Sequence, residues 1–393
     1  MTEQTLAFAR AHRNDDVHAL LLRAAQYPDI DMAAAVTQIE GWRTAQTKLP
    51  TWAAHEGIEF PPRLSMEQCS SELTARYKAS LCRGRKLADL TGGFGVDCAF
   101  MSEGFDEVTY VERNVELCAI SSGNFAHLGL SNIHTVEGDG TVVLSTLSKQ
   151  DWIYLDPARR DGAGRKVVAL ADCEPDVTVW EGELLNHAER VMVKCSPMLD
   201  ITLACRQLHT VSSVHVVAVQ NECKELLLIL DPQHEGQPVI HAIDLATSLP
   251  PMTFTPDEEQ NCNVNYTEQA GHYLYEPGAA LLKAGCVKLT AKRWNLQKLH
   301  PNTQLYTSDQ YHADFPGRTF EVIGTTGFGK HELKALTADL TCANITVRNF
   351  PDSVDTLRKR LHLSDGGTEY LFATTLSNGQ HQLIRCHKVQ KES

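Results

Sequence analysis

The stretch that most constrains this chain covers residues 87–97 and reads Leu-Ala-Asp-Leu-Thr-Gly-Gly-Phe-Gly-Val-Asp. A short apolar lead-in is followed by Asp89, by glycines at 92, 93 and 95, and then by a return to helical spacing. Glycine accepts positive φ and lets a ligand come close to the backbone. A helix beginning just past the glycines points free N–H groups at that ligand. The dinucleotide fingerprint G-x-G-x-x-G is not met, because Cys98 stands where the third glycine belongs. Residues 108–112 predict a strand ending in Glu112, 23 residues after Asp89. An acid about 20 residues beyond such a loop suits the two hydroxyls of a ribose. A short strand is expected over 132–136, followed by Glu137-Gly-Asp139-Gly. Residues 152–159 then predict an apolar strand broken at its end by Asp156-Pro157-Ala158-Arg159. Ligands of open α/β sheets sit at the carboxyl ends of strands, and these four signals all fall there.

The loop fits D-x-x-x-G-x-G and so resembles the first motif of class I S-adenosylmethionine (SAM) methyltransferases. The resemblance implies an α/β fold with a Rossmann-like seven-stranded sheet and SAM as cofactor. It carries cofactor binding onto Asp89, Thr91, Gly93, Gly95, Glu112, Asp139 and Asp156, with Asp139 on the adenine amino group. Further motifs are residues 67–78, Leu155-Asp-Pro-Ala-Arg159, Ser196-Pro-Met-Leu-Asp200, Glu276-Pro-Gly-Ala-Ala280 and Arg348-Asn-Phe-Pro351. With them nearly the whole chain is similar to a bacterial methyltransferase that has a THUMP-like C-terminal domain behind a small ferredoxin-like one. THUMP domains of related enzymes bind RNA, so the resemblance implies an RNA substrate (rRNA or tRNA). The expected division is a helical region 1–82, a methyltransferase domain 83–235, a ferredoxin-like or linker domain 236–315 and a THUMP-like α+β domain 316–393.

A narrower resemblance concerns chemistry. RNA 5-methyluridine methyltransferases carry Asp-Pro-Ala-Arg after the fourth strand, a cysteine that attacks C6 of uracil, and a later glutamate that removes the C5 proton. By that resemblance the catalytic set is Asp156, Pro157, Arg159, Cys195 and Glu225. Lys194 beside Cys195 would favour the thiolate. The alternative for Cys195 is a small apolar residue at a buried strand end. Arg159 stands where N-methyltransferases carry an aromatic residue, so carbon methylation of a pyrimidine ranks ahead of N-methylation.

Composition sets outer limits. No apolar run approaches the ~18–20 residues that span a bilayer, and the N-terminus has no leader pattern. Twelve cysteines without a C-x-x-C pair argue against a zinc site and a disulfide framework and for a reduced, cytoplasmic setting; no metal and no membrane partner are expected. The net charge is −13, yet residues 281–393 hold 15 Lys/Arg against 10 Asp/Glu, a pattern that marks basic recognition modules. Arg348, Arg358, Lys359, Arg360, Arg385 and Lys388 there suit either a solvated face or phosphate contacts. Two rivals stay open: a non-catalytic RNA-binding or assembly protein on this fold, and a methyltransferase of proteins or small molecules.

Local signals complete the expectation. Asp31 caps a helix with Met32, Ala35, Val36 and Ile39 on one face. Ser65-Met-Glu-Gln68 opens a helix through Leu81, whose face of Ser70, Ser71, Thr74, Tyr77 and Lys78 is either solvated or a lid over the cofactor. A glycine-containing loop to Gly164 precedes a long helical region interrupted at Pro175. Residues 215–220 and 226–231 form an antiparallel pair, and 249–260 a linker or surface strand pair. Glu276-Pro277 opens a helix that Gly285 ends. Residues 320–386 read β-α-β-α-β-β, the last two strands joined at Ser377-Asn378-Gly379.

Overall fold

The structure, a computed structural model, describes residues 1–159 and 169–390. The chain divides into two compact units, Met1–Ser212 with Leu227–Glu235, and Ser213–Leu226 with Gly236–Ser393.

The first unit opens with α1 (Glu3–Ala11), α2 (Val17–Leu22), α3 (Met32–Lys48), α4 (Pro50–Ala54), α5 (Arg63–Gln68) and α6 (Glu72–Leu81). Asp31 caps α3 by accepting from the Ala34 N–H, and Met32, Ala35, Val36 and Ile39 are buried against Val17 and Leu20. The helix expected over 65–81 is two helices. Cys69 and Ser71 are extended, and the Ser71 side chain starts α6 by accepting from the Thr74 N–H. A serine cap inside a helical pattern restarts it when the chain has reason to turn. The reason here is Ser70, whose hydroxyl is drawn inward to Asp97.

The α/β core follows as β1 (Gly84–Asp89), α7 (Val96–Met101), β2 (Phe105–Glu112), α8 (Val115–His127), β3 (Ile133–Glu137), α9 (Gly140–Leu144), β4 (Gln150–Leu155), β5 (Ala158–Arg159), β6 (Cys173–Glu174), α10 (Val177–His187), β7 (Ala188–Cys195) and α11 (Ile201–Gln207). Strands β7, β4, β1, β2 and β3 pair in that order, each pair parallel. The central strands bury consecutive residues, Leu87–Ala88–Asp89 and Trp152–Ile153–Tyr154–Leu155, as a sheet covered on both faces requires. Parallel pairing puts every carboxyl end on one edge. Among the described residues of the helical region expected after Gly164 and interrupted at Pro175, a 3-10 turn at Leu170–Asp172 and β6, which pairs with β5, precede the proline, and α10 follows it, capped by Asp176. The loop expected up to Gly164 lies outside the described residues.

Next come β8 (Val211–Val219) and β9 (Glu222–Leu230). Gln220 and Asn221 join them at φ 52° and 63°, the turn geometry that matches strand twist. Asp244 accepts from both of their N–H groups at 3.0 and 2.6 Å. In the second unit β10 (Val239–Asp244) runs parallel to β8, and β11 (Met252–Phe254) antiparallel to β10. These two strands are additional to the seven expected. Their sequence signal is weak because β10 pairs with a strand that is remote in the chain. The acidic stretch after Thr255 is not strand but α12 (Pro256–Gln260), begun by a Thr255–Glu258 capping box.

The rest of the second unit is β12 (Tyr273–Pro277), α13 (Ala279–Ala284), α14 (Lys288–Arg293), β13 (Gln297–His300), β14 (Thr303–Ser308), β15 (Gly317–Thr326), α15 (Lys330–Thr337), β16 (Asn344–Arg348), α16 (Val354–Leu361), β17 (Glu369–Thr375) and β18 (His381–Lys388). Glu276 and Pro277 end β12 rather than open a helix, because Glu276 pairs in register with Arg318 of β15. Gly285 does end α13, at φ 74°. All seven strands form one sheet, β13-β14-β12-β15-β18-β17-β16. Leu333 of α15 and Leu357 of α16 pack on Ile345, Leu371 and Leu383. A second cluster joins Leu274, Leu299 and Leu305 to Phe320, Phe372 and Ile384. The sheet curls until its two ends meet: His300 Nδ1 lies 3.0 Å from Asn349 Nδ2, and the Thr303 and Thr374 hydroxyls are 3.5 Å apart.

His215 on β8 and His241 on β10 stack at 4.4 Å with 11° between planes. Burial, and secondarily His241, pushes His215 down to about 3. A histidine neutral in the fold but protonated in the unfolded chain below about pH 6.5 stabilises fully above that pH and progressively less down to 3. Between pH 7 and 5, His215→Phe is expected to lose about 1–2 kcal/mol less stability than the unsubstituted protein, as read by urea unfolding at each pH.

Candidate functional site

The glycine loop between β1 and α7 is built on near-contacts that exclude side chains. A Cβ on Gly92 would lie 2.1 Å from Tyr110 Cε2, and one on Gly95 would lie 2.5 Å from Phe125 Cζ. Gly93 is different: a Cβ there meets only the Thr91 carbonyl oxygen, at 3.8 Å, but φ is +56°. The Tyr110 hydroxyl donates to the Gly93 carbonyl at 2.5 Å and Ser121 to the same oxygen at 3.2 Å. Phe94, between the glycines, is buried edge-on against Trp52 of α4 at 5.0 Å. The helical N-terminal region thus backs the loop directly. Gly92, absent from the expected residues, is the most tightly enclosed of the three glycines.

The expected acids stand along the carboxyl edge. Asp89 is 1% exposed. Its Oδ1 accepts from the Thr91 N–H at 3.1 Å, while Oδ2 accepts no hydrogen bond from the described residues. Burial pushes its carboxyl well above the usual range, only partly opposed by the Thr91 N–H. Glu112 at the end of β2 accepts from the N–H of Gly93 through Oε2 and of Asn114 through Oε1, both at 2.7 Å. This acid therefore shapes the loop as well as facing the edge. Asp139 caps α9, and its exposed carboxyl is held low first by the Thr141 hydroxyl at 2.5 Å and also by the Thr141 N–H at 2.8 Å. The Asp156 N–H donates to Thr91 Oγ1 at 2.6 Å, which ties the loop after β4 to the glycine loop. Pro157 is half-buried. Arg159 pairs with Cys173 through its backbone in β5; its side chain lies outside what the structure describes.

Behind this edge lies a polar cluster that the sequence pattern did not reveal. Asp97 in the first turn of α7 accepts through Oδ2 from Ser70 Oγ at 2.8 Å and Tyr154 OH at 2.7 Å. Its Oδ1 lies 3.2 Å from Lys78 Nζ. Burial opposes its charge, but Lys78, Lys194 and the two hydroxyls hold it below the ordinary carboxylate range. The face of α6 is therefore not solvated: Lys78 is 0% exposed, and Ser70 and Thr74 are buried. Lys194 donates to Asp156 Oδ2 at 2.6 Å. Burial pushes the thiol of its neighbour Cys195 up and Cys173 and Asp156 add to that, with Lys194 opposing. Lys78 and Asp97 could have been suspected from a lysine on an otherwise uncharged helix face and an acid just past the glycines.

In the second unit Glu225 is buried on β9. The basic residues near the C-terminus are largely engaged with acids. Arg385 bridges Asp339 at 2.7 and 2.9 Å and Glu369 at 2.8 Å. Arg358 pairs with Asp365 at 2.6 Å, and Arg360 donates to the Phe328 carbonyl at 2.8 Å. Arg348 meets the buried Glu276 at 2.7 Å; Arg318 contacts the other oxygen of the same carboxylate. Lys359 and Lys388 are exposed. Among the described residues no group of His, Cys, Asp or Glu is arranged to hold a metal ion, and no helix is long and apolar enough to cross a membrane.

Comparison with known proteins fits this geometry. Residues 273–316 match a family described as a ferredoxin-like domain, and residues 317–388 one described as THUMP domain-like. The crystal structure of a protein from Porphyromonas gingivalis W83, described as a "putative methyltransferase", is similar with 37% identity, a TM-score of 0.89 and 98% of each chain covered. Uncharacterized SAM-dependent methyltransferases of two Mycobacterium tuberculosis strains, CDC 1551 / Oshkosh and H37Rv, are each 26% identical over 303 residues, 76% of this chain and 80% of theirs. The chain belongs to the SAM-dependent methyltransferases, in a branch with ferredoxin-like and THUMP-like domains.

Because Tyr110 fills the space over Gly92, Gly92→Ala forces overpacking and is expected to cost about 1–3 kcal/mol. Gly93→Ala meets open space and only the left-handed backbone penalty of about 1 kcal/mol. Urea unfolding of the two variants should therefore rank Gly92→Ala as the more damaging. The reverse order would mean that φ rather than enclosure governs the loop.

Proposed function

We propose that this SAM-dependent methyltransferase modifies RNA (rRNA or tRNA), with the carboxyl edge of the parallel sheet as its cofactor site. The observation that carries the RNA reading is the THUMP domain-like match over 317–388 in the same chain as the methyltransferase core. The engagement of most C-terminal arginines by acids lowers the weight of net charge in that reading and leaves it on the domain match.

The residues present fit SAM, which when bound supplies an electrophilic methyl group on a sulfonium. Asp89 Oδ2 is a buried oxygen without a hydrogen-bond donor among the described residues, and burying an acceptor unpaired is costly unless a ligand supplies one. Gly93 keeps a side chain out of open space. Glu112 is assigned to the ribose hydroxyls and Asp139 to the adenine amino group. Thr91 and Gly95 shape the loop, and Asp156 borders the reacting end. Twelve cysteines without a C-x-x-C pair support a reducing, cytoplasmic setting.

For the target atom, the order of Asp156-Pro157-Ala158-Arg159, Cys195 and Glu225 supports a pyrimidine carbon attacked through a cysteine adduct. The raised Cys195 thiol and the engagement of Lys194 by Asp156 weigh against it. Cys195→Ser separates the two: abolished methyl transfer with intact SAM binding supports the adduct, and unimpaired transfer makes Cys195 a packing residue.

Calorimetric titration with SAM is expected to show binding that Asp89→Ala or Glu112→Ala weakens by about 1–3 kcal/mol, the cost of leaving a buried polar partner unsatisfied, with melting curves checking the fold. Labelled methyl transfer from SAM into fractionated cell extract should be RNase-sensitive. Protease-sensitive label would point to a protein substrate, and binding without transfer to any fraction to a non-catalytic RNA-binding role.

A further inference from the structure

We propose that Lys78 is a positioning residue for the transfer centre: acting through Asp97, it keeps the Lys194 ammonium on Asp156. Four side chains of alternating charge run inward to outward within the first unit. Lys78 Nζ lies 3.2 Å from Asp97 Oδ1, Asp97 Oδ2 lies 3.9 Å from Lys194 Nζ, and Lys194 Nζ donates to Asp156 Oδ2 at 2.6 Å. Their side chains are 0%, 10%, 13% and 38% exposed. They come from α6, α7, β7 and the end of β4, so the series joins the N-terminal helical region to the loop after β4.

Among the described residues two carboxylates lie within reach of Lys194, and it donates to the more exposed one. Left alone, the deeper Asp97 would be the stronger attractor, because a buried carboxylate without a cation is strongly unfavourable and attraction grows as the local dielectric falls. Lys78 removes that pull. It meets Asp97 directly and also donates to Ser70 Oγ at 3.1 Å, which itself donates to Asp97. With the charge of Asp97 balanced from behind by the Lys78 ion pair, Lys194 is released toward Asp156, whose N–H is already fixed on Thr91. Asp156 is then held at both its backbone and its carboxylate. That matters where a misplacement of about 1 Å can cost on the order of a hundredfold in rate. The inference rests on the reading that Asp156 borders the reacting end of the cofactor.

The test reads Asp156 itself in the full-length protein, by carbodiimide coupling of glycine ethyl ester to carboxylates, followed site by site with mass spectrometry. Lys78→Met is expected to speed coupling at Asp156 on the order of tenfold, the factor that about 1.4 kcal/mol of lost pairing corresponds to. Lys78→Arg should restore the original rate. Adding Asp97→Asn to Lys78→Met should also restore it, because an amide no longer draws Lys194 away; a merely structural role predicts that the double variant is labelled as fast as the single one or faster. Unchanged coupling in folded Lys78→Met overturns the inference. If Lys78→Met does not fold, Asp97→Asn alone decides: slower coupling at Asp156 supports the competition, and equal or faster coupling overturns it. Titration of the unsubstituted protein with SAM is a separate arm. No binding there, with the labelling pattern intact, would overturn the role of Asp156 in transfer while leaving the Lys78–Lys194 linkage standing.

Discussion

Tyr110 crowds Gly92, and Phe125 closes on Gly95, so that no atom larger than hydrogen fits on either α-carbon. This enclosure is the constraint on which the first unit depends. It sets the path by which the chain leaves β1 and enters α7, and so the position of the Gly93 carbonyl that Tyr110 and Ser121 grip. Glu112 then holds the Gly93 and Asn114 N–H groups together. The loop, the second strand and the following helix thus form one hydrogen-bonded piece. Asp89, Glu112 and Asp156 are placed by that piece and not by their own side-chain preferences.

The N-terminal helices are part of the same construction. Trp52 meets Phe94 in the middle of the loop, and the Asn124 amide of α8 both accepts from and donates to the backbone of Glu59 at 2.8 Å. Ser70 and Lys78 reach inward to Asp97. A buried charge of this kind contributes little net stability but is strongly unfavourable to break once formed. Its effect here is registry: the start of α7 is fixed with respect to α6 and β4 through a single carboxylate.

In the second unit the ferredoxin-like and THUMP-like segments share one curled sheet and one apolar cluster. Glu276 on β12 lies between Arg318 on β15 and Arg348 on β16, so it ties the ferredoxin-like segment to the THUMP-like one. The arginines that make this end of the sequence basic are in large part the fastenings of that sheet.

Much of the site was legible in the residues alone. Glycines at 92, 93 and 95, an acid 23 positions after Asp89 and Asp-Pro after an apolar run have a local physical meaning, because backbone φ and strand ends are fixed by near neighbours in the chain. The same holds for the caps at Asp31 and Gly285 and for the β-α-β-α-β-β order over 320–386. What the sequence could not reveal were choices between partners far apart in the chain. Ser70 and Lys78 form a polar helix face by pattern, yet only the packing of α6 on α7 makes them the buried partners of Asp97. Glu276-Pro277 has the signature of a helix start, but pairing with Arg318 makes it a strand end. Lys194 stands next to Cys195 in the chain, while in space its ammonium is taken by Asp156, 38 residues away. Sequence spacing fixes what is adjacent along the backbone; which cation meets which carboxylate depends on desolvation and on competition among all charges that the fold brings within reach, and only the tertiary structure decides that.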